Sequence, residues 1–503
     1  MPGWGRTALI LLAAIAVVAV GLVVYQQGRV DEARDDAERL RARLRENAAE
    51  PKEDPTSGPL EDLFGGLGDP PGDASGDLFG DLLGGSSAEL TQCLAGAAPA
   101  TDPDGLLGGL FGGTETVRRV PGRVEIKRIS RQIEDVRNLT FRRPVDATFL
   151  PPDRLGARAA RLFLEDWPRS TAEVEGRMLS ALGAIPPGTD LRALMHDLLK
   201  SQVAGFYVPE SRKLFVPGHA SAPLDALEKT IVAHELEHAV ADQRLDIDLE
   251  ETPDPAEMDE SIARLAVIEG DATLTMQTYS LAYIPVFEQL SMLGDPAIVA
   301  SQAALEGIPH YIVAQLEFPY LAGLEFVCDL HSKGGWKAVD RAYSAPPETT
   351  AEVLWPERYR SGDGDVEVAD PAGPGAGWNE ELAASLGAAN LLWLFEAPGG
   401  DESRALADPE MRAQAWAGGE IRVWSRGDDT AVAVGLRGRG SSLCGSMKQW
   451  YESSFDDDRS VATSGAEKLA VGGDRQAAVL ECRGTGVRLA IAPVLGTARA
   501  IFR

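Results

Sequence analysis

Residues 231–243, IVAHELEHAVADQ, place two of the chain's six histidines four positions apart on a predicted helix. They continue an apolar stripe with the 3,4 spacing of one helix face, formed by Leu224, Leu227, Ile231, His234 and His238. The stripe predicts that both imidazoles point inward, where a single metal ion can bind both. If the motif binds a metal, the fold has to bury this helix and bring a further ligand to it.

A catalytic zinc site needs a third protein ligand and one open position. A third histidine six residues after His238 is excluded, because Arg244 stands there. On the next predicted helix, Glu269 is the one carboxylate in a stripe formed by Met258, Ile262, Leu265, Ala272 and Met276. A buried carboxylate without a partner costs several kcal/mol, so we expect Glu269 to bind the metal. The alternative is a salt bridge to Arg264.

The sequence blocks around these residues resemble a known superfamily. HELEH, followed by EGDA with Glu269 31 residues after His238, resembles the gluzincin branch of the zincin metallopeptidases. Over about residues 120–360 the chain also resembles a group of largely uncharacterised bacterial zinc metallopeptidases, in AHELEHAVADQ, VAGFYVPESRKLFV, AVIEGDATL and GGWKAVDRAYSAPPETTAEVLWPERY. The resemblance implies that His234, His238 and Glu269 bind Zn²⁺ and that Glu235 is the catalytic base.

The implied reaction is hydrolysis of a peptide bond by a water molecule that zinc activates and Glu235 deprotonates. The hairpin at 205–218 would offer an edge strand to an extended peptide or protein substrate. A donor to the oxyanion is also expected, and the candidates are Tyr207, Tyr279, Tyr283, His310 and Tyr311. Asp242 and Asp271 are candidates for orienting the imidazoles, with Asp242 better placed at four residues from His238.

Two other interpretations stay open. In one, the chain is a non-catalytic zinc-binding adaptor that acts through its other segments. In the other, the motif is accidental and the chain is an anchored interaction protein. Glu235 argues against the adaptor, because a structural zinc site needs no base and closes its fourth position with Cys or His.

The pattern of elements predicts an α+β fold, with a zincin-like metallopeptidase domain at 117–395 and a smaller α+β unit at 396–503. In the first, a small strand layer packs on the helix with the two histidines, and a mostly helical half supplies Glu269. The elements predicted there are a strand at 144–150, helices at 151–167, 191–203, 222–243 and 256–279, and a hairpin with strands 206–208 and 214–216. Strand pairs such as EIRVW/DTAVAVGL and a helix near 443–454 are predicted in the second.

The N-terminal segments carry a different signal. Ala8–Tyr25 is an uncharged run of 18 residues that spans about 27 Å as a helix, so residues 1–25 are predicted to be a single-pass membrane anchor. A cleaved signal peptide is the alternative, but its apolar stretch is usually shorter. Residues 26–50 predict a helical stalk, either solvated or a coiled coil with weak self-association. Residues 51–116 predict a Gly/Pro/Asp-rich linker, read as a spacer or as a set of hydrophobic docking motifs.

Charge and cysteines restrict partners and location. The 48 basic and 77 acidic residues give a net charge of −29, which argues against a nucleic-acid binder. Arginines after the apolar run favour a cytoplasmic main domain, whereas pairing of Cys444 with Cys482 would place it outside, and we favour the extracytoplasmic side. Cys93 lies in the predicted linker, and Cys328 is expected to be a buried free thiol. The sequence leaves the Cys444–Cys482 pairing open.

Overall fold

The structure is a computed structural model of the 503-residue chain. It describes residues 88–97, 120–245, 257–292, 295–369, 371–455, 461–465, 468–472 and 476–502. The predicted anchor and stalk lie outside these residues. Within the described ranges, no helix is both long enough and apolar enough to cross a membrane.

The first part of the described chain is mostly helical. Its elements are α1 (Ala88–Ala97), α2 (Gly122–Arg137), β1 (Asp146–Leu150), α3 (Pro152–Asp166), α4 (Arg169–Ala181), α5 (Leu191–Gln202), β2 (Phe206–Val208), β3 (Lys213–Pro217), α6 (Ala226–Arg244), α7 (Met258–Tyr283), α8 (Val286–Met292), α9 (Pro296–Leu305), α10 (His310–Gly334), α11 (Trp336–Ser344), α12 (Thr350–Leu354) and α13 (Pro356–Ser361).

The second part is built around a large sheet. Its elements are β4 (Asn379–Ser385), α14 (Ala388–Glu396), short 3₁₀ turns at Pro398–Gly400 and Glu402–Arg404, α15 (Pro409–Ala413), β5 (Trp416–Arg426), β6 (Asp429–Gly438), α16 (Ser442–Ser454), β7 (Val461–Gly465), β8 (Lys468–Gly472), β9 (Ala477–Arg483), β10 (Gly486–Ala492) and α17 (Leu495–Ala500).

A three-stranded sheet lies against the helix that carries the two histidines. Its order is β1-β3-β2, with β1 parallel and β2 antiparallel to β3, which leaves β2 at an edge. Side chains of β3 alternate between two cores, as the pleat requires. Leu214 and Val216 pack in the core that contains Ile231, while Phe215 stacks on Phe206 with ring centroids 4.7 Å apart. The predicted hairpin and the preceding strand are confirmed.

Helix α6 begins at a capping box. The Asp225 carboxylate accepts a hydrogen bond from the Glu228 backbone N–H at 2.8 Å, and the Glu228 carboxylate accepts one from the Asp225 N–H at 3.0 Å. The helix is buried on more than the predicted stripe, because the sheet, α2 and α7 all contact it. Val232 and Leu236, outside that stripe, are both 0% exposed. The helix is therefore held on several sides.

Helices α7 and α10 cross with their backbones in contact. A Cβ atom at Gly270 would lie 2.2 Å from the Gly323 carbonyl oxygen, and one at Gly323 would lie 2.3 Å from the Ala266 carbonyl oxygen. Two glycines therefore permit an approach that any larger side chain would prevent. The crossing places α10 against the part of α7 that contains Glu269.

The seven-stranded sheet is antiparallel, with strand order β4-β5-β6-β10-β9-β8-β7. Helices and sheets together confirm the α+β class. The strand pair formed by β5 and β6 and the helix α16 agree with the sequence predictions. The first strand of the sheet, β4, precedes residue 396. The sheet therefore begins before the C-terminal α+β unit that was predicted at 396–503.

All four cysteines form disulfides. Cys444 pairs with Cys482, which resolves a pairing that the sequence left open. Cys93 pairs with Cys328, so the expectation of a free thiol at Cys328 is wrong. The partner is on α1, inside the segment that its average composition marked as a linker. The local sequence AELTQCLAGA has no proline, and Cys93, Leu94 and Ala97 are buried, so this short stretch has the apolar face that its surroundings lack.

Candidate metal centre

The three predicted ligands come together between α6 and α7. His234 Nε2 lies 3.0 Å from His238 Nε2 and 3.2 Å from Glu269 Oε2, and His238 Nε2 lies 3.5 Å from Glu269 Oε1. One ligand atom from each residue lies within 4.8 Å of the others. The side chains of His234 and Glu269 are 0% exposed and that of His238 is 7% exposed.

The spacing of these atoms fits a small metal ion. Ligands at about 2.0–2.1 Å from a tetrahedral zinc ion are separated by about 3.3–3.4 Å, and the three distances in the structure bracket that value. Two imidazoles and one carboxylate are also a donor set of catalytic zinc sites. The buried acidic residues at the centre are Glu235, Glu237, Glu269 and Asp271, whereas Arg137 is the buried guanidinium beside them. A divalent cation would balance this excess of carboxylates.

Burial sets the protonation of the ligands. It lowers the pKa of His234 to about 4, although Glu269 acts in the opposite direction, and it lowers the pKa of His238 to about 4. Both imidazoles are therefore neutral near pH 7, which is the form that binds a metal. Burial raises the pKa of Glu269 to about 7, opposed by hydrogen bonds from His234 and Tyr320.

Glu235 lies on the flank of the same helix and is 2% exposed. Burial, together with the nearby Glu269, raises its pKa well above the usual value, and the backbone N–H of Tyr207 donates a hydrogen bond that acts against this shift. Tyr207 belongs to the edge strand β2. The strand comes this close because Gly205 precedes it, where a Cβ would lie 2.6 Å from Ile231 Cγ2.

The alternative salt bridge from Arg264 to Glu269 is not what the structure shows. Arg264 instead pairs with Glu260, one turn earlier on α7. Glu269 faces the two imidazoles and receives a hydrogen bond from Tyr320. The structure therefore brings together the three predicted ligands and the predicted base, and it leaves the competing arginine at the protein surface.

Three of the five candidate oxyanion donors hydrogen-bond to residues outside the ligand set. The Tyr207 hydroxyl donates to Asp242 Oδ2 at 2.7 Å, and the Tyr311 hydroxyl accepts from Asn390 Nδ2 at 2.8 Å. His310 contacts Glu396 and Glu402, each at 2.9 Å. The rings of Tyr279 and Tyr283 pack against each other, with centroids 5.5 Å apart.

Tyr320 is the tyrosine that the sequence analysis missed. Its hydroxyl hydrogen-bonds to Glu269, and its ring centroid lies 6.2 Å from that of His234. No local motif marks it, because its position depends on the crossing of α7 and α10.

The carboxylates around His238 also differ from the expectation. Asp242, preferred from its spacing, accepts the Tyr207 hydroxyl. A carboxylate oxygen of Glu237 lies 3.6 Å from His238 Nδ1. Asp271 accepts hydrogen bonds from two nitrogens of Arg137. Glu237 is the fourth residue of HELEH, where motif reading gives it no role.

A cavity of about 600 Å³, whose lining includes Arg177, Asp190 and Gln476, lies between α4 and the seven-stranded sheet, away from the metal centre.

No protein-family model, no curated protein and no solved structure matches this chain.

Proposed function

We propose that this chain is a zinc-dependent metallopeptidase of the zincin type, with a gluzincin arrangement of ligands. The observation that carries the proposal is the convergence of His234, His238 and Glu269 within 4.8 Å, with Glu235 beside them on the same helix. Such a centre brings two neutral imidazoles, one carboxylate and a separate base to one point, which is the set that metal-assisted hydrolysis requires.

Each protein group has a defined task in this reaction. When bound, zinc supplies a Lewis acid that polarises the peptide carbonyl and makes water more acidic. A bound cation would favour the ionised form of Glu235, whose carboxylate accepts the proton of the attacking water and returns it to the leaving nitrogen. The Tyr207 N–H holds this carboxylate against β2. An extended peptide pairing with the edge strand β2 would present its scissile bond beside Glu235.

The proposal includes an anchored, extracytoplasmic location. The apolar run at residues 8–25 would hold the chain in the membrane. Two disulfides, Cys93–Cys328 and Cys444–Cys482, support an oxidising compartment, since cytoplasmic thiols are kept reduced.

One observation favours a second candidate, a zinc-binding adaptor without catalytic activity. The three ligand side chains are at most 7% exposed, as in closed structural sites, whereas a peptidase has to admit its substrate. The peptidase remains the better proposal because Glu235 is buried beside the ligands and has no role in a purely structural site.

Metal content and cleavage distinguish these functions. We would purify the full chain in detergent without added metal, measure zinc by mass spectrometry, and assay a peptide library. The peptidase predicts about one zinc per chain, lost in Glu269→Ala but kept in the control Glu260→Ala on the same helix. It also predicts cleavage that Glu235→Gln abolishes while zinc stays bound. Zinc without any cleavage would favour the adaptor, and a folded, zinc-free protein would exclude both.

A further inference from the structure

A buried arginine joins the two helices that supply the ligands. Arg137, the last residue of α2, is 0% exposed. Its Nε and Nη2 donate to the two carboxylate oxygens of Asp271, each at 2.8 Å, and its Nε lies 3.8 Å from Glu237 Oε1. Asp271 is on α7, two residues after Glu269, and Glu237 is on α6, directly before His238.

Further contacts fix the guanidinium in one orientation. Nη2 donates to Asp340 Oδ1 at 2.7 Å, and the group lies over the Trp336 ring, 4.5 Å from its centroid. The Tyr343 hydroxyl donates to Asp271 at 2.9 Å, so this carboxylate is also held from α11. A planar fork with two parallel bonds to a carboxylate has little freedom to rotate.

The far side of Glu237 faces a proposed ligand. Glu237 Oε2 lies 3.6 Å from His238 Nδ1, while His238 Nε2 faces His234 and Glu269. This separation is longer than a hydrogen bond, so Glu237 limits the orientation of the His238 ring by contact and not by a shared proton. The chain of contacts thus runs from Asp271 through Arg137 and Glu237 to His238.

We propose that Arg137 is a positioning residue of the zinc site. It is hydrogen-bonded to Asp271 on α7 and lies against Glu237 on α6, so it sets the spacing of the two helices and with it where His238 stands relative to Glu269. The inference rests on the proposed zinc site and adds a residue that lies on neither ligand helix. A different role, in which Arg137 only stabilises the fold, would leave zinc affinity unchanged in the molecules that stay folded.

The test is zinc affinity of the full chain, measured by competition with a chromophoric chelator. Arg137→Lys keeps the charge but loses the fork, and we expect it to weaken zinc binding by about 10–100-fold, the range for partners of ligating histidines. The matched control is Asp340→Asn, which removes the charge of another partner of the same guanidinium but keeps its acceptor oxygen, on a helix without a ligand. We expect it to change affinity by less than about threefold. Glu237→Gln should resemble Arg137→Lys.

A second readout reports geometry directly. The visible absorption of the Co²⁺-loaded protein depends on ligand geometry, and we expect it to change in Arg137→Lys and Glu237→Gln but not in Asp340→Asn. An Arg137→Lys protein that binds zinc as wild type does, or an equal loss in Asp340→Asn, would overturn the inference. If Arg137→Lys does not fold, Glu237→Gln decides by the same limits. A wild-type chain that binds no zinc would instead overturn the proposed function itself.

Discussion

His234, His238 and His310 show how surroundings set the charge of an imidazole. Burial lowers the pKa of the first two, so they are neutral and can bind a metal. At His310, a hydrogen bond to Glu396 raises the pKa despite partial burial, and Glu402 adds to the shift. Burial therefore favours the neutral imidazole at His234 and His238, whereas neighbouring carboxylates favour the charged imidazolium at His310.

The His310 contacts predict a pH-dependent contribution to stability. A folded-state pKa above the unfolded value of about 6.5 means that the contribution is complete below that pH and is lost as pH rises through the folded pKa. The groups that face His310 are Glu396, Glu402 and Glu317. We expect His310→Gln to lower the free energy of unfolding by about 1 kcal/mol at pH 5.5 and by less at pH 9.

Urea unfolding of wild type and His310→Gln at a series of pH values measures this difference. The matched control is His196→Gln, because His196 is also beside a carboxylate, Asp197, but is largely exposed. A wild-type-minus-variant difference that grows with pH would contradict the assignment of His310 as a cation held by Glu396.

Residues of the centre were predictable to different degrees. His234 and His238 are marked by their spacing on one helix, and Glu269 by its isolation in an apolar stripe. Arg137 and Tyr320 carry no such mark, since they reach the centre through contacts between helices that are distant in sequence. Local patterns therefore predict ligands on regular elements, but not the partners that support them.

At the scale of elements, the crossing of α7 and α10 brings Tyr320 to Glu269. Gly270 sits between Glu269 and Asp271, at the point where the backbones touch. Any side chain there has to move one helix, because the atoms that a Cβ would meet belong to the backbone of the other. The geometry of the candidate metal centre therefore requires a glycine at position 270.

Gly270→Ala is accordingly expected to be strongly destabilising, by about 2–4 kcal/mol, as for overpacking against a rigid neighbour. Gly445→Ala is the matched control, since Gly445 is an exposed glycine within α16 where a Cβ would meet no atom within 4 Å. Its helix propensity predicts an effect of about 0.5–1 kcal/mol in the stabilising direction. Thermal unfolding of both variants checks the prediction, and equal transition temperatures would contradict it.

Elements whose apolar residues repeat with a clear spacing agree with the sequence predictions. The hairpin of β2 and β3, helix α6 and the strand pair β5–β6 follow from alternation, helical spacing and turn residues. Helix α1 was missed, because averaging over a Gly/Pro/Asp-rich region hides a ten-residue segment with its own apolar face. The strand order β4-β5-β6-β10-β9-β8-β7 was also beyond local patterns, since β10 pairs with a strand from an earlier hairpin.

For the whole molecule, the proposed metal binding predicts a contribution to stability. A ligand that binds only the folded state stabilises it by about 2.7 kcal/mol when its concentration is 100 times Kd. We therefore expect EDTA to lower the unfolding temperature of the wild-type chain by about 3 °C at that saturation. His238→Ala should show no such response, whereas His196→Ala, at an exposed site, should respond like wild type. An EDTA response in His238→Ala would place the stabilising metal elsewhere.

The disulfides act over the whole molecule too. Cys93–Cys328 closes a loop across 235 residues that contains both ligand helices, and Cys444–Cys482 closes one across 38 residues in the sheet unit. Loops of these lengths imply about 5.5 and about 4 kcal/mol of stabilisation from lost chain entropy in the unfolded state. A chain that relies on both bonds has to fold where they can form, which is why location and fold are connected here.

Alkylation of the full chain isolated from the cells that make it tests whether the disulfides form there. We expect no mass increase from iodoacetamide in denaturant without reductant, and four additions after reduction, one for each cysteine. Cys93→Ser and Cys444→Ser should each expose one new thiol, that of Cys328 or Cys482, which identifies the pairs. Four additions without reductant would mean that the chain lives in a reducing compartment, because disulfides form and persist in oxidising ones. The extracytoplasmic location would then have to be abandoned, while the metal centre, which contains no cysteine, would stand or fall on its own measurements.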